Sequence, residues 1–261
     1  MKNGFYATCG LALALSTPAH AHFQLMYTPK SQLARPEHLE MKLVFAHPMA
    51  NANVMDMGVP EELFVVFKDE KTDLIDNIKP ISWTGPDNQA AAFELNYEVK
   101  RSGDYLFGLV PAPYYEEGEG LYIQQLTKRI INRGGLDTGW NEPVGLKTEI
   151  VPFNKTYQVF AGSTFTGQLL SNGEPAAGIE CEVEFINTDV DTKNNAFGQS
   201  TYRDEPSSSL VVITDINGMF TYGIPMAGKW GFACLGSGPD TEYQGKELSQ
   251  DAVLWIEAQA F

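Results

Sequence analysis

Positive charge is scarce in this chain. Its 261 residues carry 18 Lys and Arg against 33 Asp and Glu, a formal net charge of −15. A surface that acidic repels phosphate backbones, which excludes nucleic acid as a partner class, and it finds no attraction on anionic lipid. Long apolar runs are lacking as well. Beyond the first 21 residues nothing approaches the ~18 consecutive apolar positions of a spanning helix, so the chain is expected not to cross a membrane. Cysteine is rare, at three. No long amphipathic helical pattern is present, and there is no G-x-S-x-G, no H-E-x-x-H and no P-loop. Nothing points to a nucleophile, and a non-enzyme is expected.

What is present reads as a globular, exported, all-β protein. The chain is 43% hydrophobic and 20% charged, a composition that folds around a core. Residues 1–21 carry Lys2, a short apolar run from Gly10 to Ser16, and the A-x-A site Ala19-His20-Ala21. That is a secretory signal peptide whose cleavage makes His22 the first residue of a periplasmic or extracellular chain. Cys9 leaves with it. Cys181 and Cys234 stay, each in a strand-like run, and either a disulfide or two buried thiols fits an oxidising compartment.

Runs such as LEMKLVFA, LFVVFKD, AAFELNYEV, DYLFGLVP, IECEVEF and AVLWIEA are β-rich and separated by Gly, Pro, Asn and Asp. Their spacing is that of β-sandwiches. The expected organisation is a signal peptide over 1–21, an N-terminal β-sandwich over 22–158 and an immunoglobulin-like or transthyretin-like sandwich over 159–261. One short helix is expected around Leu121 to Asn132, and a long exposed loop over Asn187 to Ser209. Asp215 and Asn217 lack the closing acidic residue of a calcium loop and read as a plain turn.

The candidate chemistry is metal binding. His22, His38 and His47 fall within 26 residues of one another. Once freed, the α-amine of His22 and its Nδ1 can chelate one ion, and imidazole suits Ni, Cu, Zn and Co. The stretch HPMANANVMDMG adds His47, Met55 and Met57, whose thioethers are soft donors. His38 follows Arg35-Pro36-Glu37 and reads as an exposed turn residue. The loop APYYEEGEG places Glu116, Glu117 and Glu119 after paired tyrosines and reads first as a solvated acidic loop.

Several segments together carry a family resemblance. An A-H-A leader stands before H-F, then come A-H-P-M with M-D-M-G, P-A-P-Y-Y-E, T-K, and G-W-N-E-P-V-G-L-K-T-E-I-V-P from Gly139 to Pro152. Over residues 22–185 this resembles a periplasmic family of unknown-function domains associated with nickel transport, NikM-like or CbiK-type. From about residue 162 the order G-Q-L-L-S-N-G-E-P-A-A-G, then T-D-I-N-G-M-F, resembles transthyretin-like and carboxypeptidase-regulatory-like modules. The first resemblance implies a Ni(II) or Co(II) component working beside a membrane transporter or outer-membrane receptor, with His22, His47, Met55 and Met57 as ligands. Relatives carry a His shortly before Thr-Lys, where this chain has Gln125. Copper, as a chaperone or sensor cargo, and a metal-free interaction module are the alternative readings.

Overall fold

A computed structural model describes residues 22–202 and 210–261; the expected signal peptide lies outside them. Strands dominate, and a single 3-10 turn at Ile75–Asn77 is the helical content among the described residues. Three sheets form. The first runs in the order Phe23–Tyr27, Glu37–Ala46, Gln89–Val99, Ile78–Thr84, Ala196–Ser200, Thr188–Asp191, with Val54–Met55 paired beside Glu37–Ala46. A twelve-stranded sheet follows the path Leu210–Ile213, Glu180–Phe185, Gly228–Cys234, Lys246–Gln259, Leu121–Arg133, Gly103–Val110, Glu62–Phe67, Glu70–Asp73. A small sheet joins Met219–Gly223, Thr164–Ser171 and Thr148–Pro152, with Glu174–Pro175 at its margin.

The long sheet is the middle layer, and the alternation of its strands shows why. Along Lys246–Gln259, Leu254 and Ile256 join a core with Phe165, Leu169 and Phe220 of the small sheet. Val253 and Trp255 instead meet Phe23, Val44 and Trp83 of the first sheet. Successive side chains of a strand point to opposite faces, so one strand serves two sandwich cores. A third core packs Leu39, Met41, Leu43 and Leu95 against Leu63, Val65, Phe107 and Leu109. The all-β sandwich expectation is borne out.

The two halves separated at residue 158 in sequence share that long sheet. Leu121–Arg133 pairs in parallel with Lys246–Gln259, from Tyr122 opposite Leu248 to Arg129 opposite Trp255. Ala196 also pairs with Thr84 and so brings second-half residues to the first sheet.

Two local expectations fail for identifiable reasons. Leu121–Arg133 is a strand, not a helix. Ile123, Leu126 and Ile130 have the spacing of a helical face, but they divide between opposite faces: Ile123 joins one core and Leu126 and Ile130 another. A central strand covered on both sides loses the simple alternation that would have revealed it. The expected loop after Asn187 contains a hairpin, Thr188–Asp191 with Ala196–Ser200, while 203–209 lie outside the described residues. Its polar side chains suit an edge position, which propensity alone does not separate from a loop.

The turns follow their chemistry. Asn172 and Gly173 have φ of 49° and 80°, the left-handed pair that links antiparallel strands across two residues. Asp215 Oδ1 accepts from the Asn217 and Met219 amides, so Asp215-Ile216-Asn217-Gly218 is a plain turn. Cys181 and Cys234 stand opposite each other on neighbouring antiparallel strands and form a disulfide.

Candidate functional site

The site forms where the chain enters the first sheet. Phe23–Tyr27 begins that sheet, paired from Phe23 opposite Ala46. Because His22 precedes Phe23 and His47 follows Ala46, antiparallel pairing sets the two histidines side by side. Their ring centroids are 4.5 Å apart. The residues bracketing an antiparallel register must be neighbours, so this proximity follows from strand pairing itself.

Each ring has a defined polar contact. His22 Nε2 lies 2.9 Å from Glu116 Oε2 on the strand Tyr114–Glu116. His47 Nδ1 lies 3.1 Å from the Asn53 carbonyl. Phe45 and Tyr114 flank His22, with centroids at 5.6 and 6.3 Å. Burial pushes the Tyr114 phenol above its ordinary pKa, and the carboxylates of Glu116 and Asp56 push in the same direction. The field is therefore one that attracts cations.

Gln125 holds the entering segment. Its Oε1 accepts from the Gln24 amide at 2.7 Å, and its Nε2 donates to the His22 carbonyl at 2.7 Å and to Asp251 at 3.2 Å. Burial pushes the Asp251 carboxyl up, against hydrogen bonds from Ser249, the Gly236 amide and Gln125. Beside this clamp, Gln24, Phe45, Met57, Tyr114, Ile123 and Gln125 help line a cleft with about 10 Å³ open to a water-sized body. That is room for about one water, and neither histidine ring lines it.

The loop after His47 is fastened by the other half of the chain. Asn187 donates its amide to the Pro48 carbonyl and its side chain to the Met49 carbonyl, and Glu184 accepts from the Met49 amide. Asn51, at φ 46°, donates to the Gly198 carbonyl and to Ser200.

The sequence-derived residues divide accordingly. His22 and His47 come together. Met57 is buried at the cleft, and its sulfur accepts from Gln24 Nε2 at 3.4 Å. Met55 packs in the core with Phe45 and Phe93. His38 is exposed on Glu37–Ala46, opposite Glu98. Sequence reasoning did not join Glu116 to His22: the acidic loop was visible, its neighbour was not. Among the described residues no three His, Cys, Asp or Glu side chains are grouped to hold a metal.

The segments that carried the family resemblance have a structural explanation. Lys128 Nζ, wholly buried, donates to Glu149 at 2.8 Å and to the Glu142 carbonyl at 2.8 Å. Glu149 also accepts from the Val144 and Gly145 amides. The run from Gly139 to Pro152 thus wraps the lysine of Thr127-Lys128.

Fold and site define an all-β sandwich protein with a paired-histidine corner at the start of its first strand. The chain belongs to the family described as a domain of unknown function (DUF4198), which matches residues 19–238. No curated protein matches the sequence. Among solved structures, the D0-D1 domain of intimin is 10% identical, with 88% of this chain and 96% of that one covered at a TM-score of 0.22. The Escherichia coli adhesin FdeC is 14% identical, with 89% and 62% covered at a TM-score of 0.23. Fibronectin(III)-like modules of Clostridium thermocellum CbhA are 7% identical, with 91% and 95% covered at a TM-score of 0.21. Likeness at these scores carries no argument. No helix among the described residues is long and apolar enough to cross a membrane.

Proposed function

We propose that this protein is an exported transition-metal-binding component of a nickel or cobalt uptake route, acting in the periplasm and handing its cargo to a membrane transporter or outer-membrane receptor. It binds without catalysis. The observation that carries the reading is the 4.5 Å separation of the His22 and His47 rings, with the Glu116 carboxylate 2.9 Å from His22 Nε2. The donors are the His22 amine and imidazole and the His47 imidazole, with Met57 at the cleft wall as a softer neighbour, while Met55 packs in the core. Imidazole and amine nitrogens suit late first-row ions. The chain's net charge of −15 raises the local concentration of cations.

The test is isothermal titration of the exported, processed protein with Ni(II), Co(II) and Cu(II), beside a form carrying one extra residue before His22. Binding that the added residue abolishes supports the reading, because the extension turns the amine into an amide. Absence of heat with every metal overturns it and favours a metal-free interaction module.

A further inference from the structure

The hairpin at the far edge of the long sheet carries charge mostly of one sign beside an open groove. Between Glu61 and Asp76 the chain has six carboxylates and two lysines. Its outer strand, Glu70–Asp73, ends the sheet, pairs with Glu62–Phe67 on one side, and is exposed at all four residues. Leu74 donates its amide to the Leu63 carbonyl. Hydrogen-bonded and non-hydrogen-bonded pairs alternate along an antiparallel ladder, so Glu70 and Thr72 bond inward like Leu74, and Lys71 and Asp73 turn their backbone amides and carbonyls to the open edge. A groove of about 300 Å³ lies alongside, lined by Glu61, Glu62, Leu63, Phe64, Lys71 and Asp73. An ammonium of the protein's own sits there: Lys71 Nζ is 3.6 Å from the centre of the Phe64 ring and 3.6 Å from Glu62 Oε2. The other two carboxylates meet neutral donors, Glu61 the Gln124 side chain at 3.2 Å and Asp73 the Ile75 amide at 2.9 Å.

We propose that Glu70–Asp73 is a docking edge for a basic, extended segment of a partner protein, which adds to the long sheet as one more strand and reaches into the groove with a Lys or Arg. In strand addition the main-chain hydrogen bonds give affinity, and pockets for alternate side chains give selectivity. Here the outward groups of Lys71 and Asp73 supply the main-chain partners, and the groove supplies the pocket. Charge complementarity chooses the occupant. Successive residues of a strand face opposite sides, so Glu70 and Asp73 lie on opposite faces and each face of an added strand meets a carboxylate. Opposite charges paired across strands are favourable. In the groove, Leu63 and Phe64 suit the aliphatic stem of a Lys or Arg, while Glu61 and Asp73 attract its charged head. A second copy of this chain, with the same net charge of −15, is repelled. The docking edge does not depend on the metal-binding reading.

The test uses the full protein and a short capped peptide of alternating Lys and Val, with amide hydrogen exchange read residue by residue by NMR. With peptide bound, the Lys71 and Asp73 amides should gain protection, while Thr72, already paired inward, changes little. The same peptide with alternate amides N-methylated keeps its charge but cannot pair, and should bind about tenfold or more weakly. A triple variant, Glu62→Gln with Glu70→Gln and Asp73→Asn, should lose about tenfold or more in affinity, and high salt should bring the native protein down to its level. Lys71→Pro removes an outward amide at an edge position, where proline is tolerated, and should abolish the protection at Asp73. Thr72 exchange reports in each variant that the hairpin itself is intact. Absence of protection at Lys71 and Asp73, equal protection by the N-methylated peptide, or unchanged affinity in the triple variant overturns the proposal. Self-association of the protein that Lys71→Pro abolishes also overturns it, by making the occupant a second copy.

Discussion

Lys128 and Glu149 meet 2.8 Å apart with side-chain exposures of 0% and 3%, an ion pair closed off inside the protein. Burial pulls the Lys128 ammonium below its ordinary pKa, and Glu149 pulls the other way. The Glu142 carbonyl and the Val144 and Gly145 amides complete its hydrogen bonds. A buried pair of this kind fixes geometry more than it adds stability. It ties the Gly139–Pro152 segment to the central strand.

Removing one partner should therefore cost more than the pair contributes. Glu149→Ala leaves Lys128 buried without its carboxylate and should destabilise the fold by about 3–5 kcal/mol. Lys128→Met with Glu149→Leu should recover much of that loss. Urea denaturation of the single and double variants decides the matter; a Glu149→Ala variant as stable as the native protein would contradict the buried-pair account.

Gln125 predicts an effect on the site through the backbone. Gln125→Ala frees the His22 carbonyl, the Gln24 amide and one contact of Asp251. Hydrogen exchange at Gln24 should accelerate, and metal affinity should fall by about tenfold, the usual consequence of losing an outer support. Gln125→His places a second acceptor-capable ring beside His22 and should alter metal preference rather than abolish binding. An unchanged Gln24 exchange rate in Gln125→Ala would mean that strand pairing alone holds the segment.

Lys229 predicts a pH dependence of stability. Burial first, and the nearby Arg129 second, lower its pKa to about 8 against the opposing pull of Glu257. In the unfolded chain the same lysine titrates near ~10.4. Between these values the unfolded state binds a proton that the folded state does not, so stability rises with pH across the window. Below about pH 8 both states carry the proton and the full cost of the buried charge is present. Chemical denaturation midpoints should climb from pH 8 toward pH 9.5, by at most about 2 kcal/mol for this group. Lys229→Met should flatten that slope and raise stability at neutral pH. A native midpoint that is level across the window would show that Lys229 keeps an ordinary pKa.

Much of the fold was legible because strands report themselves locally. LEMKLVFA, AAFELNYEV and IECEVEF show their burial in composition and alternation, and each is a strand within a residue or two of its expected place. Leu121–Arg133 was not legible, since a strand buried on both faces also buries Gln124, Gln125, Lys128 and Arg129, residues that read as surface. Their partners (Gln250, Asp251, Glu149 and the Trp255 carbonyl) lie 21 to 126 positions away. No window of sequence contains both members.

The candidate site divides in the same way. His22 and His47 drew notice as types and as near neighbours in sequence, and Glu116 as part of an acidic, aromatic loop. Sequence determined that imidazole, carboxylate and thioether groups were available, that the surface was acidic, and that the chain would fold as strands, because side-chain chemistry and β-propensity belong to each residue where it stands. Only the tertiary structure decided that His22 faces both His47 and Glu116, that Gln125 clamps the first strand, and that Met55 packs into the core while Met57 reaches the cleft. Those relationships arise from strand register and sheet order, set by the burial of apolar faces across the whole chain.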